Sequence, residues 1–182
     1  MIIIKEENRF ARIQRVLERR KTQIVKNAIV KYDGKDFNAG YAIKDIENYM
    51  TDYMLGIAKP EIRINVPLSN AAKQELLSNG YTSHKLRILE KEHANHIVNK
   101  HLLKKDDIKR HTGHISFNEI KKIPEILLTT IPKFYKANAQ HPHDRLIYSV
   151  IINKKQYKLI EQIGSDRRGK PSLTLTTFYK VI

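Results

Sequence analysis

The chain contains no cysteine and no tryptophan among its 182 residues. Without thiols it forms no disulfide, no thiolate nucleophile and no Cys-type zinc site, and it fits a reducing compartment. Without tryptophan, stacking on a base falls to the nine Tyr, the five Phe or Arg planes. Long apolar runs are also missing. Met1-Ile2-Ile3-Ile4 gives way at once to Lys5, Glu6 and Glu7, too short for the apolar core of a signal peptide. No run approaches a membrane span, so a membrane partner is not expected. There is no Gly-rich phosphate loop, no GxSxG elbow and no HExxH, and the acidic residues are too scattered for a two-metal nuclease. No internal repeat or low-complexity tract is present.

Positive charge is abundant. Thirty-four Lys and Arg against nineteen Asp and Glu give a net charge of +15 and a pI near 9.9. Such a surplus favours a polyphosphate partner, with a salt-dependent attraction because each neutralised phosphate releases counterions. RNA is the expected partner and DNA the alternative; a Lys-rich composition from an AT-biased genome is the plain competing explanation. The 41% hydrophobic content suffices for a core.

Apolar spacing predicts a basic amphipathic helix over 7–30, a turn at Asp33-Gly34 between 28–32 and 35–37, and a helix over 43–55. A short strand is expected inside 60–67, and Ser69 caps a helix that Asn79-Gly80 ends. All eight histidines lie between His84 and His143, which places a boundary near residue 83. Two units are expected: 1–83, mostly helical, and 84–182. In the second, a strand at 86–89 leads into a helix over 90–103. Ser116 and Glu119 form a capping box, and Pro124 opens a further helical turn. Strands at 145–152, 156–163 and 172–181, with a fourth near 133–137, are linked by connections short enough to make them antiparallel. The expected fold class is α+β: helices packed on a C-terminal antiparallel β-sheet meander, preceded by a mostly helical N-terminal segment.

Histidine changes charge nearest neutral pH, which suits it to moving protons. The 90–103 helix carries His93, His96 and His101, with Lys100, Lys104 and Lys105 beside the last. Metal ligation through His93/His96, His111/His114 or His141/His143 competes, but the Lys- and Arg-rich surroundings oppose a divalent cation, so neither metal nor other cofactor is expected. In the strands Arg145, Lys158, Thr174, Thr176, Thr177 and Tyr179 are candidates. Strict alternation puts Thr174 and Thr176 on one side and Thr177 and Tyr179 on the other. Arg167, Arg168 and Lys170 form a cationic hairpin tip able to clamp phosphate.

The stretch from Arg87 to His101, the segment Phe117–Leu128 around Pro124, and the strands holding Arg145-Leu-Ile-Tyr, Tyr157-Lys-Leu-Ile and Leu173–Tyr179 together resemble the barnase/EndoU/colicin/RelE-like nuclease superfamily. The likeness is to versions found in phage polyvalent and MuF-type proteins, and it spans about 84–182. It implies a metal-independent endoribonuclease-like effector or toxin domain of phage or mobile-element origin, acting in the cytoplasm of a bacterial host. In such cleavage a base takes the ribose 2′-OH proton, the oxygen attacks phosphorus, and an acid protonates the leaving 5′-oxygen. Carried onto this chain, His101 or His96 moves protons, Arg145 and Lys158 hold the phosphate, Thr176 donates to it, and Tyr179 stacks or transfers a proton. An immunity or target protein is an implied partner. The alternative is a non-catalytic basic nucleic-acid-binding or anti-defence inhibitor protein on the same fold.

Overall fold

A computed structural model describes residues 28–102 and 112–182. The expected basic helix over 7–30 lies outside these residues up to position 27. Its last positions, Ile29 and Val30, instead open a strand.

Among the described residues a hairpin comes first, β1 (Ile29–Tyr32) and β2 (Lys35–Asn38), turned by Asp33 and Gly34 at φ 47° and 72°. Both left-handed conformations match the twist of a two-residue hairpin. Helix α1 (Gly40–Leu55) follows, closed by a left-handed Gly56. After β3 (Glu61–Arg63), Ser69 caps α2 (Asn70–Ser78) by accepting from the Ala72 amide. Then come β4 (Leu86–Glu90) and α3 (Lys91–Ile97), which runs on as a π-helical turn over Val98–Leu102. Short β5 (Thr112–Gly113) precedes α4 (Phe117–Ile120) and α5 (Ile123–Thr129). The capping box at Ser116 and Glu119 forms with both hydrogen bonds, and Pro124 sits in the first turn of α5. Strands β6 (Lys133–Tyr135), β7 (Arg145–Ile152), β8 (Lys155–Ser165) and β9 (Pro171–Val181) complete the chain.

The fold is α+β. Among the described residues, seven strands form one sheet in the order β3-β4-β9-β8-β7-β6, with β5 beside the end of β9. The β6–β9 run is the expected antiparallel meander. The sheet as a whole is mixed, because β4 lies parallel to β9. It extends past the expected boundary at 83, since β3 pairs with β4, and one apolar cluster joins Ile46, Met50 and Leu76 to Leu159, Leu173 and Phe178.

One face of the meander supplies this core through Leu146, Tyr148, Tyr157, Leu159 and Ile163, packed with the helices. A bulge at Ile160/Glu161 breaks the alternation in β9. Before it, Glu161 and Ile163 pair with Leu175 and Leu173; after it, Leu159 pairs with Phe178. Cross-strand partners share a face, so Leu173, Leu175 and Phe178 all point to the core. Thr174, Thr177 and Tyr179 share the other face. That corrects the strict alternation, which separated Thr174 from Thr177 and Tyr179; one extra residue reverses the facing of everything beyond it.

Candidate functional site

Strand β4 occupies Ser172–Thr174 of the outer edge of β9 and β5 occupies Lys180–Val181. Helix α3 packs against β9 between them. It is tied down on its far side, where Asn95 and Asn99 bond each other and the Tyr53 hydroxyl of α1. Buried Ala94, Ile97 and Val98 fasten it to the core, which leaves His93 and His96 for the opposite face of the sheet.

The π turn determines what His101 does. In an α-helix, residues five apart point about 140° away from one another, whereas a π turn closes on i+5. His101 therefore returns beneath His96, with ring centroids 5.2 Å apart and edge-on. Its other face stacks on Tyr179 of β9 at 5.5 Å, and its carbonyl accepts from the Ile115 amide. Burial, reinforced by His96 and Lys100, lowers the His101 pKa to about 4, so the ring is neutral at physiological pH. Burial also pushes the His93 pKa down, with Glu92 opposing. The Tyr179 hydroxyl is pushed up by burial, with Arg145 opposing.

A cleft of about 440 Å³ opens on this face. His93 and His96 line it from α3, His141 and His143 from the loop before β7, Arg145 from β7 and Thr176 and Thr177 from β9. The loop is anchored by the buried Asp144, which accepts from Tyr81, from Lys136 and from the Ala137 amide. His143 and Arg145 thus reach the same cavity. Arg145 stands over the Tyr135 ring at 5.9 Å, and its Nε has no hydrogen-bond partner. The Thr177 hydroxyl is likewise buried without a partner, while Thr176 donates to the Ile160 carbonyl at 3.1 Å. Both residues line the cleft, with these two unsatisfied polar atoms buried beneath its surface.

No family model, curated protein or solved structure matches this chain.

The structure brings His96, Arg145 and Thr176 to the cleft and sets His101 and Tyr179 directly behind His96. Lys158 pairs with Tyr179 on the same sheet face but beyond the cleft lining. Arg167 reaches α3, with its guanidinium 3.8 Å from Glu92 at the cleft mouth. Arg168 and Lys170 remain in the hairpin, which Asp166 closes by accepting from both of their amides. Lys100 lies on the π turn, and Lys104, Lys105 and His111 lie outside the described residues. His141, His143 and Gln162 join the cleft without having been placed there from the sequence, and Thr177, a strand candidate, lines it too. The close clustering of His141, His143 and Arg145 in the chain is the signal that could have found the loop. Among the described residues, no group of three or more His, Asp or Glu is placed to hold a metal ion.

Proposed function

We propose that this chain is a metal-independent endoribonuclease whose active site is the α3–β9 cleft. The observation that carries this reading is the imidazole of His96, exposed in the cleft and backed by a neutral His101 on Tyr179, in the same cleft lining as Arg145. Proton transfer and charge stabilisation are the two requirements of 2′-OH attack on phosphorus, and both groups are present in one cavity. His96 takes the 2′-OH proton, and a histidine of the opposite wall, His141 or His143, returns one to the leaving 5′-oxygen. Arg145 stabilises the charge that builds on the phosphoryl oxygens. His101 acts through His96 as a positioning residue. The resemblance of 84–182 to the barnase/EndoU/colicin/RelE-like superfamily supports this assignment, as does the +15 charge. A role as an effector of phage or mobile-element origin in a bacterial cytoplasm belongs to the same proposal.

The test is cleavage of end-labelled single-stranded RNA in EDTA by the wild type, His96→Ala and Arg145→Ala. The expected result is cyclic-phosphate product ends, and a loss of about 10²–10⁴-fold in rate for His96→Ala with RNA binding retained. Salt-sensitive RNA binding without cleavage by any of the three proteins would overturn the enzyme reading. It would leave a nucleic-acid-binding or inhibitory protein in its place.

A further inference from the structure

A second cavity, of about 550 Å³, lies on the other side of the segment entering β7. Its walls come from the β1–β2 turn, the strap before α2, α2 itself and the loop over 81–85. The floor is apolar: Leu68 and Leu76 are buried beneath it, while Leu77 stands 56% exposed at its side. Tyr32 and Tyr81 add two aromatic rings to the lining. Three exposed ammonium groups, Lys35, Lys73 and Lys85, belong to the rim. The carboxylate in the lining is Asp33, and it already accepts from the Asn70 amide at 2.6 Å. Apolar walls with a few converging cations select a ligand that has an apolar or planar body and carries negative charge.

One segment touches both cavities: His143 and Arg145 line the first cleft, while Asp144 between them accepts from the hydroxyl of Tyr81, a residue of the second. On the neighbouring strand β8, the Gly164 carbonyl meets Nε2 of His84, a residue of the second cavity. A chain of phosphates held at Arg145 therefore has a cationic, base-sized cavity linked to it through Asp144 and Tyr81.

We propose that the second cavity is a subsite for one nucleotide of single-stranded RNA, flanking the segment in the cleft. The base lies in the lining formed by Leu68, Leu77 and Tyr81, and its phosphate lies among Lys35, Lys73 and Lys85. Only an unstacked base enters such a cavity, so the subsite selects single strands over duplex. This rests on the cleft reading for the identity of the polymer, but not on any cleavage step.

The experiment pairs two probes on the full chain. Adenosine 5′-monophosphate is titrated while amide and side-chain signals are followed by NMR, and a labelled single-stranded oligoribonucleotide is titrated by fluorescence anisotropy. The variants are Lys73→Glu/Lys85→Glu, both on exposed side chains, and Leu77→Asp, which changes the apolar wall with no lysine altered. The expected result is saturable shifts at Leu77 and Tyr81 in the wild type, lost in both variants, with RNA affinity reduced about tenfold or more. Cleavage, where it occurs, shows a raised KM and an unchanged kcat. Unmoved signals at Leu77 and Tyr81, or variants that bind RNA like the wild type, overturn the subsite. So does an acidic, leucine-bearing peptide that shifts these signals when the nucleotide does not, which assigns the cavity to a protein. If RNA is bound and never cleaved but the nucleotide shifts persist, the enzyme reading fails and the subsite stands.

Discussion

His101 is held where water hardly reaches it, between one imidazole and one phenol. Unfolded, its ring takes a proton near the ordinary value of 6.5; folded, only near pH 4. Across that window the unfolded chain binds the additional proton, so acid favours unfolding. The contribution is fully present above pH 6.5, declines as pH falls, and is gone near pH 4, at a cost of about 3 kcal/mol. Urea titrations at neutral pH and at pH 4.5 check this: His101→Gln is expected to lose distinctly less stability on acidification than the wild type. Equal losses would show that the ring is not held neutral by the fold. Arg87 makes a second residue-scale case. Its guanidinium is buried, donates to both oxygens of Glu161 and to the Tyr148 hydroxyl, and reaches the Val66 and Pro67 carbonyls. Glu161→Ala leaves that charge in the core without its counterion, and a loss of roughly 3–5 kcal/mol is expected by chemical denaturation. The double replacement Arg87→Met/Glu161→Leu is expected to cost less than the single one, since it leaves no charge unpaired. Neither fate was legible in the sequence, because nothing local to Arg87 announces a partner 74 positions away.

At the scale of the element, local chemistry was largely readable. Ser69 and the Ser116–Glu119 box cap the helices they were expected to cap, and β7 runs from Arg145 to Ile152 as its apolar alternation required. Two features defeated periodicity. The 90–103 helix is split into an α segment and a π turn, which changes which side chains lie under one another. The bulge opposite Ile160 reverses the facing of β9 beyond it. Both are departures of a single residue from a repeat, invisible to a pattern that averages over many, and both occur where the cleft is built. The β7–β8 turn offers a direct test of backbone strain. Asn153 and Lys154 both sit at positive φ, 50° and 63°, in a two-residue turn closed by the Ile152–Lys155 pair. Asparagine tolerates that conformation and lysine resists it. Lys154→Gly is expected to stabilise the chain by roughly 0.5–1 kcal/mol, read as a raised urea midpoint.

At the scale of the molecule, the sheet is assembled from strands far apart in sequence. Strand β4 meets β9 with Leu86 beside Ser172, a pairing that turn chemistry cannot specify, and β3 beside β4 joins the two expected units into one core. The charge, by contrast, was legible from the start, and the fold gives it direction. Arg145 and Lys158 share one face of the sheet, and the hairpin carrying Arg168 and Lys170 connects β8 to β9, two strands of that face. Arg167 of the same hairpin approaches α3 through Glu92, so this cationic tip lies by the cleft mouth. A single strand lying along this face meets roughly four cations, which for single-stranded nucleic acid corresponds to a slope of about −3 in log affinity against log salt. Raising the salt from about 50 to 200 mM is therefore expected to weaken binding of labelled single-stranded RNA by roughly 50-fold. Replacing Arg168 and Lys170 by Ala is expected to make that slope shallower by about one to one and a half, with the cleft untouched. A slope near zero in the wild type would leave the +15 charge without a polyanion to explain it, and the reading of this face as an RNA surface would fail with it.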